Sequence, residues 1–480
     1  MEPGDTRISA ILRNAGPVLY CGELQLAPFL GQVCVISLVC GSLLLPAVVL
    51  REDLPYFKAE VAALPIILAI YGWLVLSGIA RGFRLNRMFL IGGLFSVSVA
   101  LSIWYGSAIL GETVILRDFY ELPKLWLPIV FFALCYEARL SEAAIRRLWD
   151  FLGLTIVPIC LYAWAQWANL PFSRWLNEYY KAGDYTEGAL LYARRVYSTM
   201  GNPNNFAELL TWLISAFLLA ALLFPADRAR NILAAIACLV SMTMTGSRYG
   251  LLNTSLALSL VFAMNYASRG RRLSQLLLPL ALVPLLAGVF LAVSSSNQGT
   301  LERFQTLDNP LQTDSYRERV DILWRDAYRE FVQSPVLGHG PAKTVFSGIV
   351  TDSEYLDVLK EFGVAGFLIY LAYFLFPLSL IWKGMRAGQR AGSHLEERLP
   401  GNFLVMRLSF IMIVTALLMN VGMSTFRNFL LQGFLWMWMG LGVRAAETIR
   451  EASRLRLSYS PRSGSLNPLA AHQAIARAVR

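Results

Sequence analysis

Residues 206–224 read FAELLTWLISAFLLAALLF, an apolar run whose single charge, Glu208, stands near its start. The hydrocarbon core of a bilayer asks for about 20 such residues in a helix, and this run has that length. A water-facing helix would keep one polar stripe at a period of 3.6. Here Trp212, Leu213, Phe217, Leu218 and Leu222 spread around every face. The run therefore reads as a membrane-crossing helix.

Runs of this kind recur along the chain, at about 29–50, 61–80, 88–110, 121–137, 151–169, 206–224, 231–246, 249–267, 274–295, 363–382, 402–422 and 429–446. They are continuous, whereas a transmembrane β-barrel would show short alternating segments. The expected fold class is an all-α transmembrane bundle of about 12 spans, with two long outer loops carrying short helices. Composition agrees: 480 residues, 56% hydrophobic, with a mean hydropathy of +0.51, lie beyond what a water-soluble domain carries.

The net charge of +10 does not point to nucleic acid. The cations lie in short loops between spans and in the C-terminal tail, with no basic groove interleaved with aromatics. With the N-terminus inside, fifteen Lys and Arg fall in short cytoplasmic loops (Arg81, Arg84, Arg87, Arg139, Arg146, Arg147, Arg228, Arg230, Arg269, Arg271, Arg272, Lys383, Arg386, Arg390, Arg398) against six outside (Arg51, Lys58, Arg117, Lys124, Arg248, Arg427). This bias places both termini in the cytoplasm. The expected organisation is a cytoplasmic segment 1–28, a transmembrane domain 29–446 and a basic tail 447–480, disordered or lying on anionic headgroups. Residues 1–27 lack the features of a cleaved leader, so the first span is expected to serve as an uncleaved signal.

Cys21, Cys34, Cys40, Cys135, Cys160 and Cys238 lie in or beside apolar runs without a CxxC pair. They read as small buried hydrophobes. The cysteines have no His-rich partner set that would make them metal ligands, and no GxxxxGK[ST] signature occurs, so no nucleotide cofactor is expected.

Two stretches, about 170–205 and 296–362, are too long for simple connections and fall on the outer face; loops of that length are usually functional or disordered. Within the second, Val320, Leu323, Ala327 and Phe331 share a helical face and Asp321, Arg325, Asp326 and Arg329 occupy others. This predicts an amphipathic helix on the outer surface or over the bundle.

Four constellations sit on the outer face, the second of them in the short turn between the runs 231–246 and 249–267. The first is Arg195 followed by Tyr197-Ser-Thr-Met-Gly-Asn-Pro-Asn-Asn205. Asn202 suits a helix N-cap and Pro203 the first helical position. The free N–H groups there form an anion site to which Arg195 can add a bidentate grip; the plain alternative is a capped helix with a snorkelling arginine. The second is Thr245-Gly-Ser-Arg-Tyr-Gly250, a turn at the membrane edge where Arg248 is costly unless paired or facing a polar cavity. The third runs from Arg317 and Arg319 through Trp324 to Pro335-Val-Leu-Gly-His-Gly-Pro341, in which His339 is either a general base or a hydrogen-bonding turn residue. The fourth is Asp352-Ser-Glu-Tyr-Leu356 before Glu361, Gly363 and Gly366. Its two acids either complement a helix dipole or accept a proton from an attacking hydroxyl. Glu208 is a weaker candidate for the same role.

In order, these motifs resemble the O-antigen ligase and polymerase superfamily over roughly the C-terminal two thirds of the chain. The resemblance implies a metal-independent, inverting membrane glycosyltransferase of the bacterial inner membrane. Its donor would be a glycan on undecaprenyl pyrophosphate, held by outer-loop arginines. The ligase branch typically has a His before the spacing that runs here from Ser353 to Gly363 and Gly366; this chain has Asp352. That looks more like the polymerases of O-antigen or exopolysaccharide repeat units.

The expected pyrophosphate-binding residues are Arg195, Arg248, Arg319, Arg317, Asn202 and Asn205. The expected proton acceptor is Asp352, Glu354 or His339. Partners are the lipid-linked donor and acceptor oligosaccharides and membrane lipids, with a chain-length regulator as a further candidate. A ligase acting on lipid A-core is the runner-up. A transporter or flippase is the alternative of another class, though such proteins place ionisable groups near mid-bilayer and these charges cluster at the outer edge.

Overall fold

A computed structural model of the protein describes residues 35, 38–39, 41–44, 47–48, 57–58, 69, 87–119, 121–180, 195–269, 317–341, 351–423 and 429–458. The segment 1–28, most of the runs at 29–50 and 61–80, the run at 274–295, residues 459–480 and Cys21, Cys34 and Cys40 lie outside the described residues.

The molecule is an all-α bundle. We label its longer helices α1 (Arg87–Ala108), α2 (Glu121–Glu137), α3 (Glu142–Trp167), α4 (Pro171–Tyr180), α5 (Pro203–Leu223), α6 (Arg228–Met244), α7 (Arg248–Arg269), α8 (Arg325–Gln333), α9 (Glu354–Ala391), α10 (Pro400–Met419) and α11 (Phe429–Ser458). A two-residue antiparallel pair, Ala47–Val48 with Phe57–Lys58, is a small addition to the expected architecture.

Helices α1, α3, α5, α9 and α10 are long and apolar enough to cross a bilayer. Helices α2, α6, α7 and α11 coincide with four further apolar runs. Helix α11 runs on to Ser458, twelve residues past the boundary at 446 that hydropathy suggests. Its extension lies along that of α9, with the Ser453 hydroxyl donating to the Ala387 carbonyl at 3.2 Å.

The run 206–224 is the centre of the bundle. Helix α5 is buried along nearly its whole length, as an all-round apolar helix must be, and packs on α6, α7 and α10. The peripheral helices instead carry exposed stripes: Leu90, Leu94, Val97, Leu101 and Trp104 on α1, and Leu154, Val157 and Leu161 on α3. The three-to-four-residue spacing puts each stripe on one face, and apolar stripes of this kind on spanning helices face lipid.

Small residues let the helices meet. A Cβ on Gly440 of α11 would lie 2.3 Å from the Phe132 carbonyl of α2, and one on Gly384 of α9 would lie 2.5 Å from Ala446 Cβ of α11. The three described cysteines, Cys135, Cys160 and Cys238, are buried thiols.

Among the described residues the ion pairs gather at the two ends of the bundle. At one end Arg146 pairs with Asp227 at 3.0 Å and Arg230 with Asp150 at 2.8 Å. There also the Glu142 carboxylate accepts the N–H groups of Gly401 at 2.7 Å and Asn402 at 3.0 Å, so α3 caps the start of α10. Glu142→Ala strands those donors, and we expect a loss of about 1–3 kcal/mol, read as a lower thermal midpoint in detergent. The four motifs collect at the opposite end.

Candidate functional site

The start of α5 forms as its sequence dictates. Asn202 is extended, its side-chain oxygen accepts the Asn204 N–H at 2.8 Å, and Pro203 takes the first helical position. Asn202 thus spends its side-chain oxygen on the cap, and Asn205 is buried within the first turn.

Arg195 lies beneath this helix start, buried. Its Nε donates to the Thr245 carbonyl at 2.8 Å and a terminal nitrogen donates to the Asn204 side-chain oxygen at 2.9 Å. The Val196 N–H donates to the Met244 carbonyl at 3.2 Å. Two motifs separated by some fifty residues are thereby fastened together.

Gly246 turns with φ +60°, and a Cβ there would lie 3.5 Å from the Arg195 side chain. Ser247 then accepts the Gly250 N–H at 3.1 Å and so caps α7, which opens with Arg248. Tyr249 follows. Its ring lies 5.7 Å from the Arg319 guanidinium, within cation–π range.

Arg319 sits in a seven-residue π-helical segment, Glu318–Trp324, that leads into α8. π-turns are rare and concentrate at functional sites. The predicted amphipathic helix is present, with Ala327 buried and Ile322, Tyr328 and Val332 exposed, but its first half is wound wider than an α-helix. Arg319 donates from Nε and a terminal nitrogen to the same Asp352 oxygen, 3.0 Å each. Trp324 donates to the Thr351 carbonyl at 3.0 Å, so two side chains clamp the 351–352 turn. Asp352 takes φ +52°, a left-handed conformation that aspartate tolerates better than most residues. Arg317 stands exposed at the start of the π segment.

A single line of contacts therefore runs from Arg195 through the Thr245–Gly246 turn to Arg248 and Tyr249, on to Arg319, and ends at Asp352. All four constellations meet at one end of the bundle.

The third and fourth motifs prove to be one structural unit. Helix α9 is broken at Gly363 (φ 64°, ψ −170°), which frees backbone groups on both sides. The segment 335–340 runs through the break and satisfies them. His339 N–H donates to Lys360 O at 3.0 Å, Gly340 N–H to Glu361 O at 2.8 Å, Val364 N–H to Pro335 O at 2.8 Å and Ala365 N–H to Val336 O at 3.3 Å. Non-helical backbone at a membrane edge needs such internal partners.

His339 belongs to this clasp. It is 5% exposed; its Nε2 faces the Glu330 carbonyl at 2.9 Å and its Nδ1 faces a Glu112 carboxylate oxygen at 3.3 Å. Its geometry is that of the turn-fastening alternative. Glu354 is wholly buried at the start of α9, its N–H donating to the Asn420 carbonyl at 3.0 Å. Asp352, with 45% of its side chain exposed, is the one of the three acceptor candidates that solvent reaches.

Sequence reasoning did not find Asn204, Tyr249 or Gln166. Gln166 closes α3 and its side-chain oxygen accepts both the Tyr197 N–H at 3.1 Å and the Ser198 N–H at 2.7 Å. A Gln inside an apolar run and a Tyr beside Arg248 were the available signals. Nor did it anticipate Lys360, buried on the short first part of α9 and paired with Asp357 at 3.2 Å.

Glu330, on α8 beside this unit, has its carboxyl pushed up from the usual range, first by burial, while Lys360 and His339 pull it back. A carboxyl raised in the folded state stabilises at low pH, and that contribution fades as pH climbs through the raised value. Glu330→Gln should therefore raise the thermal midpoint relative to wild type at pH 7, with the gap closing towards pH 4.

Among the described residues no group of three or more His, Cys, Asp or Glu is placed to hold a metal ion. Residues 233–371 match the family model described as O-antigen ligase. That stretch is similar to the O-antigen ligase family. No curated protein matches the chain. The O-antigen ligase match contains Arg248, Arg317, Arg319, His339, Asp352 and Glu354. Arg195 lies before the matched residues and reaches them through its bond to Thr245. The resemblance to the O-antigen ligase and polymerase superfamily is borne out over these residues.

Proposed function

We propose that this protein is an inner-membrane polysaccharide polymerase. It moves a glycan from undecaprenyl pyrophosphate to a hydroxyl of an incoming lipid-linked repeat unit at the periplasmic face. In this reading residues 29–446 are one transmembrane glycosyltransferase domain with both termini in the cytoplasm. The observation that carries it is the meeting of Arg195, Arg248 and Arg319 at one end of the bundle, joined through Thr245 and Tyr249.

The chemistry asks for that arrangement. The acceptor oxygen attacks the anomeric carbon, the bond from that carbon to the phosphate oxygen breaks, and the pyrophosphate leaves with the electron pair. Fixed cations beside capped helix starts stabilise the charge that develops on it. The donor is already activated, so neither a nucleotide nor a metal is required, and attack from the opposite face inverts the anomeric centre.

The proton of the acceptor hydroxyl goes to a carboxylate. Asp352 is favoured over Glu354 and His339 because it is the exposed member of the three. Its bond to Arg319 keeps the guanidinium paired until the diphosphate arrives. Arg317, exposed nearby, guides the anionic lipid in, while Asn202 and Asn205 hold the helix start to which it binds. A chain-length regulator would dock on the same outer face.

A second reading has one specific support, the O-antigen ligase description of the matched family: transfer of finished glycan to lipid A-core. Deleting the gene separates the two. Polymerase predicts loss of long chains with single-repeat caps remaining, whereas polymer stranded on the carrier lipid is the ligase result. Wild-type polymer length from Arg195→Ala, Arg248→Ala and Arg319→Ala alike would end both.

A further inference from the structure

Helix α4 follows the spanning helix α3 after only Ala168–Leu170, a link that reaches at most about 10 Å. It must therefore lie close to the membrane boundary. At about 100° per residue, its side chains divide into three sectors. Ser173, Asn177 and Tyr180 face the bundle. The Ser173 hydroxyl donates to the Ala165 carbonyl of α3 at 3.2 Å, Asn177 accepts from Tyr162 at 2.8 Å and Gln166 at 2.7 Å, and Tyr180 donates to the Leu44 carbonyl at 2.6 Å. Phe172 and Trp175 occupy the second sector, 53% and 59% exposed. Arg174 and Glu178 occupy the third, also exposed.

We propose that α4 is an interfacial helix, with Phe172 and Trp175 sunk into the headgroup–acyl boundary of the membrane that α3 spans, and that it sets the height of the Arg195 segment. An aromatic sector beside a charged one, at the end of a span, is what that boundary selects. The exposed stripe Leu154, Val157 and Leu161 carries the lipid-facing surface up α3 towards the same place.

The link to the site is explicit. Asn177 holds the Gln166 amide nitrogen at 2.7 Å, and the Gln166 oxygen holds the N–H groups of Tyr197 and Ser198, next in the chain to Arg195. Phosphates of a lipid-linked substrate lie at headgroup depth. A helix anchored at that depth and bonded to the arginine segment positions one relative to the other. This second clause rests on the proposed function; the first does not.

The test uses the full chain in liposomes with single spin labels at Phe172→Cys, Trp175→Cys and Glu178→Cys. Labels at 172 and 175 should collide several-fold more with oxygen, and several-fold less with a water-soluble nickel complex, than the label at 178. Equal water exposure at all three overturns the membrane placement, whatever the enzyme does. The double variant Phe172→Ser/Trp175→Ser, at wild-type expression and thermal midpoint, should lower glycan transfer several-fold. Undiminished transfer, where Arg195→Ala abolishes it, overturns the positioning role. An Arg195→Ala protein with wild-type transfer would instead count against the proposed function, leaving the depth result as it stands.

Discussion

Arg319→Ala should lower glycan transfer by about 10²–10³-fold, the effect of removing one fixed donor from a developing anion, while leaving the fold in place. The two halves of that expectation come from different magnitudes. Arg319 meets Asp352 at 3.0 Å, but 45% of the Asp352 side chain is exposed. Pairs that open to solvent contribute only about 0–1 kcal/mol. Stability therefore changes little, whereas a charge aimed at the leaving diphosphate counts for several times more.

Arg319→Lys sharpens the point. It keeps the charge, yet an ammonium cannot reproduce the two bonds from Nε and the terminal nitrogen or the guanidinium plane over Tyr249. Transfer by the lysine variant should fall between wild type and alanine. Transfer assays on purified protein, with thermal midpoints taken alongside, check both variants.

Gly363→Ala should have the largest effect on stability. The position needs φ 64°, and a Cβ would lie 2.2 Å from the Val336 carbonyl oxygen and 2.6 Å from the Leu337 nitrogen. The methyl group meets backbone on both counts, and that backbone is itself bonded across the break to Val364 and Ala365. The segment 335–340 cannot withdraw without leaving those groups unsatisfied in a buried place. A loss of about 3 kcal/mol or more follows. Gly93→Ala is the control: it lies in α1 with nothing within 4 Å of its Cβ, so a helix-favouring substitution should leave the midpoint unchanged or slightly higher. Thermal unfolding of both variants in detergent, monitored by tryptophan fluorescence, decides the matter.

The bundle was legible because membrane helices announce themselves locally. A run such as 206–224 is apolar on every face, and the structure gives it the central, most buried position. Caps were legible for the same reason: Asn202 and Pro203 act within one turn of their own helix.

What escaped depends on distance along the chain. Nothing in Pro335-Val-Leu-Gly-His-Gly340 shows that its backbone will thread the break at Gly363, because peptide hydrogen bonds carry no side-chain signature. The sequence leaves His339 as a base or, by a small margin, a turn residue; Glu112, far upstream, stands against its Nδ1 in the fold. Asp352 read as an acid at a helix entrance; its bond to Arg319 across the outer segment gives it a second meaning. Helix α4 was hidden inside a long loop, since its aromatic and charged sectors emerge only after the bundle-facing side is known. Topology singles out the arginines, whereas Asn204 and Tyr249, which meet Arg195 and Arg319, carry no such mark.

In the proposed reaction Arg248 and Arg319 hold the diphosphate of a lipid carrier. Native mass spectrometry of the purified protein with undecaprenyl pyrophosphate and undecaprenyl monophosphate tests it most directly. Wild type should show a diphosphate adduct and a much weaker monophosphate adduct, and an Arg248→Ala/Arg319→Ala protein that melts as wild type does should lose the diphosphate adduct. Equal diphosphate binding by that double variant would contradict it.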